Sequence, residues 1–294
     1  MDLRSRTLIM MKEMRFKGET VVFYANDIDG ATASWVYRKK DPSEDVKYIS
    51  CDRSEDLSSH FFRKCEIYFL GICPDKELYI HLRKGNNNRV VIFNNDQSCK
   101  SQYDRFLNDP DLFFHTSQTC NQSMWKYYFS EEECPEGVNY VNDALLSVNR
   151  LPDSASVLAY LEGKVLNHTA ISDYIDKMSN VITQEKVVRE GLVIKDMLDR
   201  MIADISSNHY LTEISGYKVP IVCCNKSLSD KVAHNILGDY PFSCSFYVED
   251  GVQKLFLRSK KDGVDVSTIA RSYGGHGMPR FASISINRKE YFIT

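Results

Sequence analysis

Asp27 and Asp29 stand two residues apart in TVVFYANDIDGATASWVYRK (20–39), between an apolar run and a helical one. Two carboxylates at the end of one strand can face a shared ion, and Gly30 lets the chain turn sharply into the helix. Hard divalent cations take clustered carboxylate oxygens, so the layout suits metal-assisted phosphoryl chemistry. The same two residues can instead cap the helix beginning near Ala31, where carboxylates favour the positive end of the dipole.

Such a turn needs a sheet behind it. Apolar, β-branched and aromatic runs occur at 21–24, 46–49, 67–70 and 90–93, separated by helical or turn-rich stretches. Short buried strands alternating with helices predict a parallel sheet built from βαβ units. Sites in such sheets gather at the carboxyl ends of the strands. The segments 26–30, 51–54, 71–74 and 94–97 are therefore the candidates, and Asp52 and Ser54 fall among them. A mostly helical region follows, and then a long amphipathic helix is predicted over 184–205. Beyond it, strand-like runs at 219–223, 244–248 and 255–257 include a hairpin signal, Glu249-Asp250-Gly251. A helix from Val266, a glycine-rich loop and a closing strand complete the chain.

The 294 residues suffice for two domains, with 43% hydrophobic and 26% charged residues, ordinary for a globular protein. A net charge of −3 argues against an extended surface for duplex nucleic acid, while leaving room for a short oligonucleotide or mononucleotide. The apolar run at 8–11 is too short for a signal-peptide core or membrane span. Nine scattered cysteines without CxxC spacing point to reduced thiols and a cytoplasmic protein. His60, His81, His115, His168, His209 and His234 lack ligand spacing and read as surface or hydrogen-bonded histidines.

Taken together, NDIDG, four strand-end loops, a connecting helix and LRSKKDGVDVSTIARSYGGHG resemble the DHH phosphoesterases with a DHH-associated C-terminal domain. That family includes RecJ-type exonucleases, nano-RNases and cyclic-dinucleotide phosphodiesterases. The resemblance implies an α/β fold: a parallel-sheet DHH domain over 18–182, a connecting helix over 183–210, and a smaller α/β DHH-associated substrate-binding domain over 211–294.

The resemblance also implies a two-metal site, and here the motifs depart from it. The family's HxDxDG falls on Ala25, Asp27, Asp29 and Gly30, without the histidine. Its bridging aspartate falls on Gly71, and its DHH motif on Asn94, Asn95 and Asp96. A fourth aspartate falls on Leu145 or, with a small shift, Asp143. Glycine cannot bridge two ions, and asparagine lacks the imidazole nitrogen that Mn²⁺ accepts. Asp27, Asp29, Asp96 and Asp143 are thus the remaining metal candidates, for no ion or for one weakly held Mn or Mg ion. In the C-terminal part, Arg258 matches the family's phosphate-facing arginine, with Ser259 beside it. Gly274, Gly275 and His276 offer backbone N–H groups and an imidazole to a phosphate. Met278-Pro279-Arg280 after the loop departs from the family's pattern.

Two functions follow. One is a DHH-fold pseudoenzyme that has lost two-metal hydrolysis and serves as a nucleotide-binding or protein-interaction module. The other is a divergent metal-dependent phosphodiesterase for short oligonucleotides, cyclic dinucleotides or related phosphoesters. The expected partner is a small phosphorylated ligand, with neither duplex nucleic acid nor membrane, and with a homodimer or protein partner open.

Overall fold

The apolar runs at 21–24, 67–70 and 90–93 become parallel strands because each is buried on both faces, while the run at 46–49 falls on a partly exposed edge strand. A computed structural model describes residues 14–51, 61–84, 87–146, 148, 150–249 and 251–287. In chain order the elements begin β1 (Arg15–Lys17), β2 (Thr20–Ala25), α1 (Ile28–Lys40), β3 (Lys47–Cys51), β4 (Phe61–Arg63) and β5 (Glu66–Leu70). They continue with α2 (Lys76–Arg83), β6 (Arg89–Asn94), α3 (Gln97–Gln102), β7 (Leu112–Phe114), α4 (Cys120–Tyr128) and α5 (Glu136–Leu145). Then come α6 (Ser154–Glu162), α7 (His168–Met178) and the long α8 (Val181–Ser207). The chain divides into two units, Met1–Lys195 and Asp196–Thr294, and the division falls within α8.

The first unit is built on a parallel sheet of order β3-β2-β5-β6-β7. Side chains alternate across it. Val22, Tyr24, Tyr68, Leu70, Val91 and Phe93 enter one core with α1, α4, α5, α6 and α7. Val21, Phe23, Ile67, Phe69, Val90 and Ile92 enter a second core with Tyr79 and Leu82 of α2. Two covered faces explain why these strands read as unbroken apolar runs rather than as alternating ones. The three-residue edge strand β7 is too short to give such a signal.

The second unit holds β8 (Tyr210–Ile214), β9 (Tyr217–Cys223), α9 (Ser229–Ile236), β10 (Phe242–Glu249), β11 (Val252–Ser259), α10 (Val266–Ser272), β12 (His276–Met278) and β13 (Phe281–Asn287). Its mixed sheet runs β12-β13-β11-β10-β9-β8, with β9 and β10 parallel and the other neighbours antiparallel. Val219, Ile221, Phe242, Cys244, Leu255, Leu257, Val266 and Ile284 form its main core. Among the described residues no helix is long and apolar enough to cross a membrane.

Candidate functional site

The carboxyl ends of the parallel strands lie side by side. Ala25 pairs with Cys51, the Gly71 N–H donates to the Phe93 carbonyl at 2.9 Å, and the His115 N–H donates to the Asn94 carbonyl at 3.1 Å. The residues that follow β2, β5, β6 and β7 therefore share one edge.

Asp27 opens α1. Its Oδ1 accepts from the Gly30 N–H at 2.7 Å, an N-cap bond that satisfies one of the free donors of the first turn. Asp27 is exposed at the surface. Asp29, within the first turn, does something different. Its Oδ2 accepts from the Cys120 N–H at 2.8 Å, and its Oδ1 accepts from the Asn121 N–H at 2.9 Å and Asn121 Nδ2 at 2.7 Å. Asp29 thus sits at the positive end of α4, ninety-one residues further along the chain, and ties the two helices together. Burial pushes its carboxyl up to about 6, against the opposing pull of the Asn121 and Cys120 N–H groups and with a further push from the Asp27 charge. One acidic turn caps two helices.

Around this turn the packing is closed. A Cβ on Gly30 would lie 2.2 Å from the Ala25 carbonyl oxygen, so no other residue fits there. Gly71 has φ +70°, and a Cβ on it would meet the Ala25 Cβ at 3.3 Å and the Gly30 Cα at 3.7 Å. Ala25, Gly30 and Gly71 form one contiguous patch of small residues at the strand edge.

The other two carboxylates are placed by local structure. The Asp96 N–H donates to Asn94 Oδ1 at 2.7 Å, and the Asp96 carbonyl accepts from the Lys100 N–H at 3.0 Å, which starts α3. Asp143 lies near the end of α5 and accepts from the Arg150 N–H at 2.9 Å and the Leu151 N–H at 3.3 Å. Burial raises its carboxyl, but those N–H groups and the Ser154 hydroxyl outweigh it and lower it from the ordinary value. Leu145 is exposed and brings no donor. Among the described residues, no group of three or more His, Cys, Asp or Glu side chains is placed to hold a metal ion. His115 is exposed at the same edge, with Nδ1 2.5 Å from the buried Ser123 Oγ. Its position is hidden in the sequence because β7, the strand that delivers it, is only three residues long. Asp52, Ser54 and His60 lie outside the described residues.

No protein-family profile matches the chain. An uncharacterized protein, R106, of Acanthamoeba polyphaga mimivirus is 21% identical over 289 residues, which cover 88% of this chain and 65% of that protein. The chain therefore spans less than two thirds of that relative. Among solved structures, a DHH domain described as a member of the S1p family of ribosomal proteins superposes with a TM-score of 0.58 at 10% identity, covering 92% of this chain and 84% of that one. The pGpG-specific phosphodiesterase PggH from Vibrio cholerae gives 0.51 at 9% identity, covering 92% and 94%. RecJ from Thermus thermophilus in complex with Mn²⁺ gives 0.51 at 12% identity, covering 94% of this chain and 50% of that one.

The fold is that of the DHH phosphoesterases.

In the second unit of this DHH fold, Arg258 lies on β11. Its Nη1 bonds Asp230 Oδ1, in the first turn of α9, at 2.8 Å, while its Nε is buried without a hydrogen-bond partner. Ser259 donates its hydroxyl to the Pro279 carbonyl at 3.1 Å. Gly274 has φ +71° and ends α10, and Gly275 lies so close to β13 that a Cβ would come within 2.2 Å of the Ser283 carbonyl oxygen. His276 opens β12, where its backbone pairs with Ser283, and its side chain lies outside those described. Arg258 faces α9, where Ser243 beside it bonds the Ala233 carbonyl, while β13 separates its strand from that of His276.

Proposed function

We propose that this chain is a DHH-fold pseudoenzyme that binds a small phosphorylated ligand, a nucleotide or very short oligonucleotide, and does not hydrolyse it. The observation that carries this reading is the closed patch of Ala25, Gly30 and Gly71, positions that the DHH resemblance aligns with two metal ligands and the turn between them. Two ions about 3.5–4 Å apart need a bridging carboxylate and further donors around it. The donor set does not fit that pair: Asp29 is spent on α4, Asp143 on the 150–151 loop, and Gly71 has neither a side chain nor a backbone angle that favours one.

Ligand binding falls to Arg258. Its guanidinium has a fork suited to phosphate oxygens. Its ion pair with Asp230 involves one Nη, and the buried Nε adds an unsatisfied donor on the same group. A phosphate would take the place of the Asp230 carboxylate.

Calorimetry with pGpG as the probe, with and without Mn²⁺, tests both halves. The expected result is binding that Arg258→Ala weakens by about tenfold, with no dinucleotide cleaved. Absence of binding overturns the ligand assignment. Metal-dependent cleavage that disappears in Asp27→Asn overturns the pseudoenzyme assignment in favour of a divergent phosphodiesterase.

A further inference from the structure

Three buried thiols of the first unit turn to backbone carbonyls: Cys51 to Ile49 at 3.8 Å, Cys65 to Arg63 at 3.4 Å and Cys120 to Phe93 at 3.3 Å. Cys73 instead meets the Cys99 thiol, and the two side chains share a hydrogen bond. The backbone explains the meeting. Cys73 lies in the 71–74 loop that leaves β5, and Cys99 lies on α3, which follows the neighbouring strand β6. Tyr103, one helical turn beyond Cys99, fastens the helix to that loop: its buried hydroxyl donates to the Pro74 carbonyl at 2.8 Å. Both thiols pack against the core that holds Phe23, Ile67 and Phe69, yet each stays partly exposed and free.

We propose that Cys73 and Cys99 are a thiol pair that closes reversibly to a disulfide in the presence of a small disulfide oxidant of the oxidised-glutathione type. The Cys99 thiolate attacks one sulfur of the oxidant, which gives a mixed disulfide and releases one glutathione thiolate. Cys73 then gives up its proton and attacks the Cys99 sulfur, and the second glutathione thiolate leaves. Two protein thiols are oxidised, one glutathione disulfide is reduced, and the two protons go to the departing thiolates. The order follows from the surroundings. The Cys99 contact and burial push the Cys73 thiol up, so it is the weaker first nucleophile. The bond cross-links the loop after β5 to α3, along the strand-end edge that carries Gly71 and Asp96. This inference is independent of the ligand reading above, whose arginine lies in the second unit.

Peptide mass spectrometry on the full chain tests it with three proteins: wild type, Cys73→Ser and Cys99→Ser. Each is equilibrated in glutathione buffers of increasing oxidation, quenched in acid and alkylated before digestion. Wild type should yield a linked Cys73–Cys99 peptide, with both thiols lost together, and dithiothreitol should restore both. Each single variant should lose the link and carry one glutathione on the cysteine that remains. Exposed Cys223 serves as the reference thiol. In the buffer that leaves Cys223 half modified, the wild-type pair should be about tenfold more oxidised than reduced, because its second step is intramolecular. Matched circular dichroism of the reduced proteins separates these effects from misfolding. No linked peptide in buffers that modify Cys223, Cys73 joined as readily to other cysteines, or a pair no easier to oxidise than Cys223 would each overturn the assignment.

Discussion

Replacing Gly71 with aspartate puts back the carboxylate that the DHH resemblance expects there, and the structure sets the cost. Gly71 has φ +70°, where an L residue loses about 1 kcal/mol, with aspartate among the better tolerated. The new Cβ sits 3.3 Å from the Ala25 Cβ, so that neighbour must give way by a few tenths of an ångström. The new carboxylate also enters beside an acidic turn: the Cβ lies 3.9 Å from the Gly30 nitrogen, which is itself 2.7 Å from Asp27 Oδ1. Asp27 is exposed, so water screens the repulsion to about 1 kcal/mol. Gly71→Asp should therefore lose about 2–3 kcal/mol in urea unfolding near neutral pH. The repulsive part vanishes once the carboxylates are protonated, so the loss should shrink to about 1–2 kcal/mol near pH 4. Millimolar Mn²⁺ should leave the neutral-pH loss in place. A variant as stable as wild type at both pH values would refute the closed-patch reasoning. Recovery of stability on adding Mn²⁺ would refute it differently, by showing that one carboxylate completes an ion site.

The raised Asp29 carboxyl makes stability depend on pH. Its folded value of about 6 lies above the ordinary 3.8, so the folded state holds the proton more tightly, and stability falls as pH rises between those values. For a half-buried group this amounts to about 1–3 kcal/mol, and urea midpoints of Asp29→Asn should lack that slope. In the second unit, Gly275→Ala should cost about 3 kcal/mol, because its Cβ would lie 2.2 Å from the Ser283 carbonyl oxygen. Gly274→Ala meets nothing within 4 Å and should cost about 1 kcal/mol, from φ +71° alone. Denaturant midpoints for the pair separate crowding from backbone strain, and equal losses would refute the distinction.

The sequence carries the local part of this structure well and the long-range part poorly. Runs 21–24, 67–70 and 90–93 reappear in β2, β5 and β6 because two covered faces leave little room for polar residues, while 46–49 reappears in the partly exposed edge strand β3. The helix expected over 184–205 is observed as Val181–Ser207, since a 3.6-residue period survives any tertiary context. Strands β7 and β8 leave little trace in the sequence, β7 for its length and β8 because most of its residues are exposed and show no apolar alternation. At the acidic turn, spacing alone could not choose between an ion and a helix cap. Both uses want carboxylates near N–H-rich or cationic surroundings, and Asp27 does cap the helix next to it. Asp29 could not be read this way, because its donors come from Cys120 and Asn121, and no local pattern encodes a bond across that distance. A carboxylate two residues into a helix, with small residues at the two neighbouring strand ends, is the arrangement a metal site would inherit. Once the bridging position is glycine, that carboxylate can serve as mortar between helices. In this chain Asp29 holds α1 to α4 through the Cys120 and Asn121 N–H groups, a structural use that gives the acidic turn a role whether or not an ion is bound.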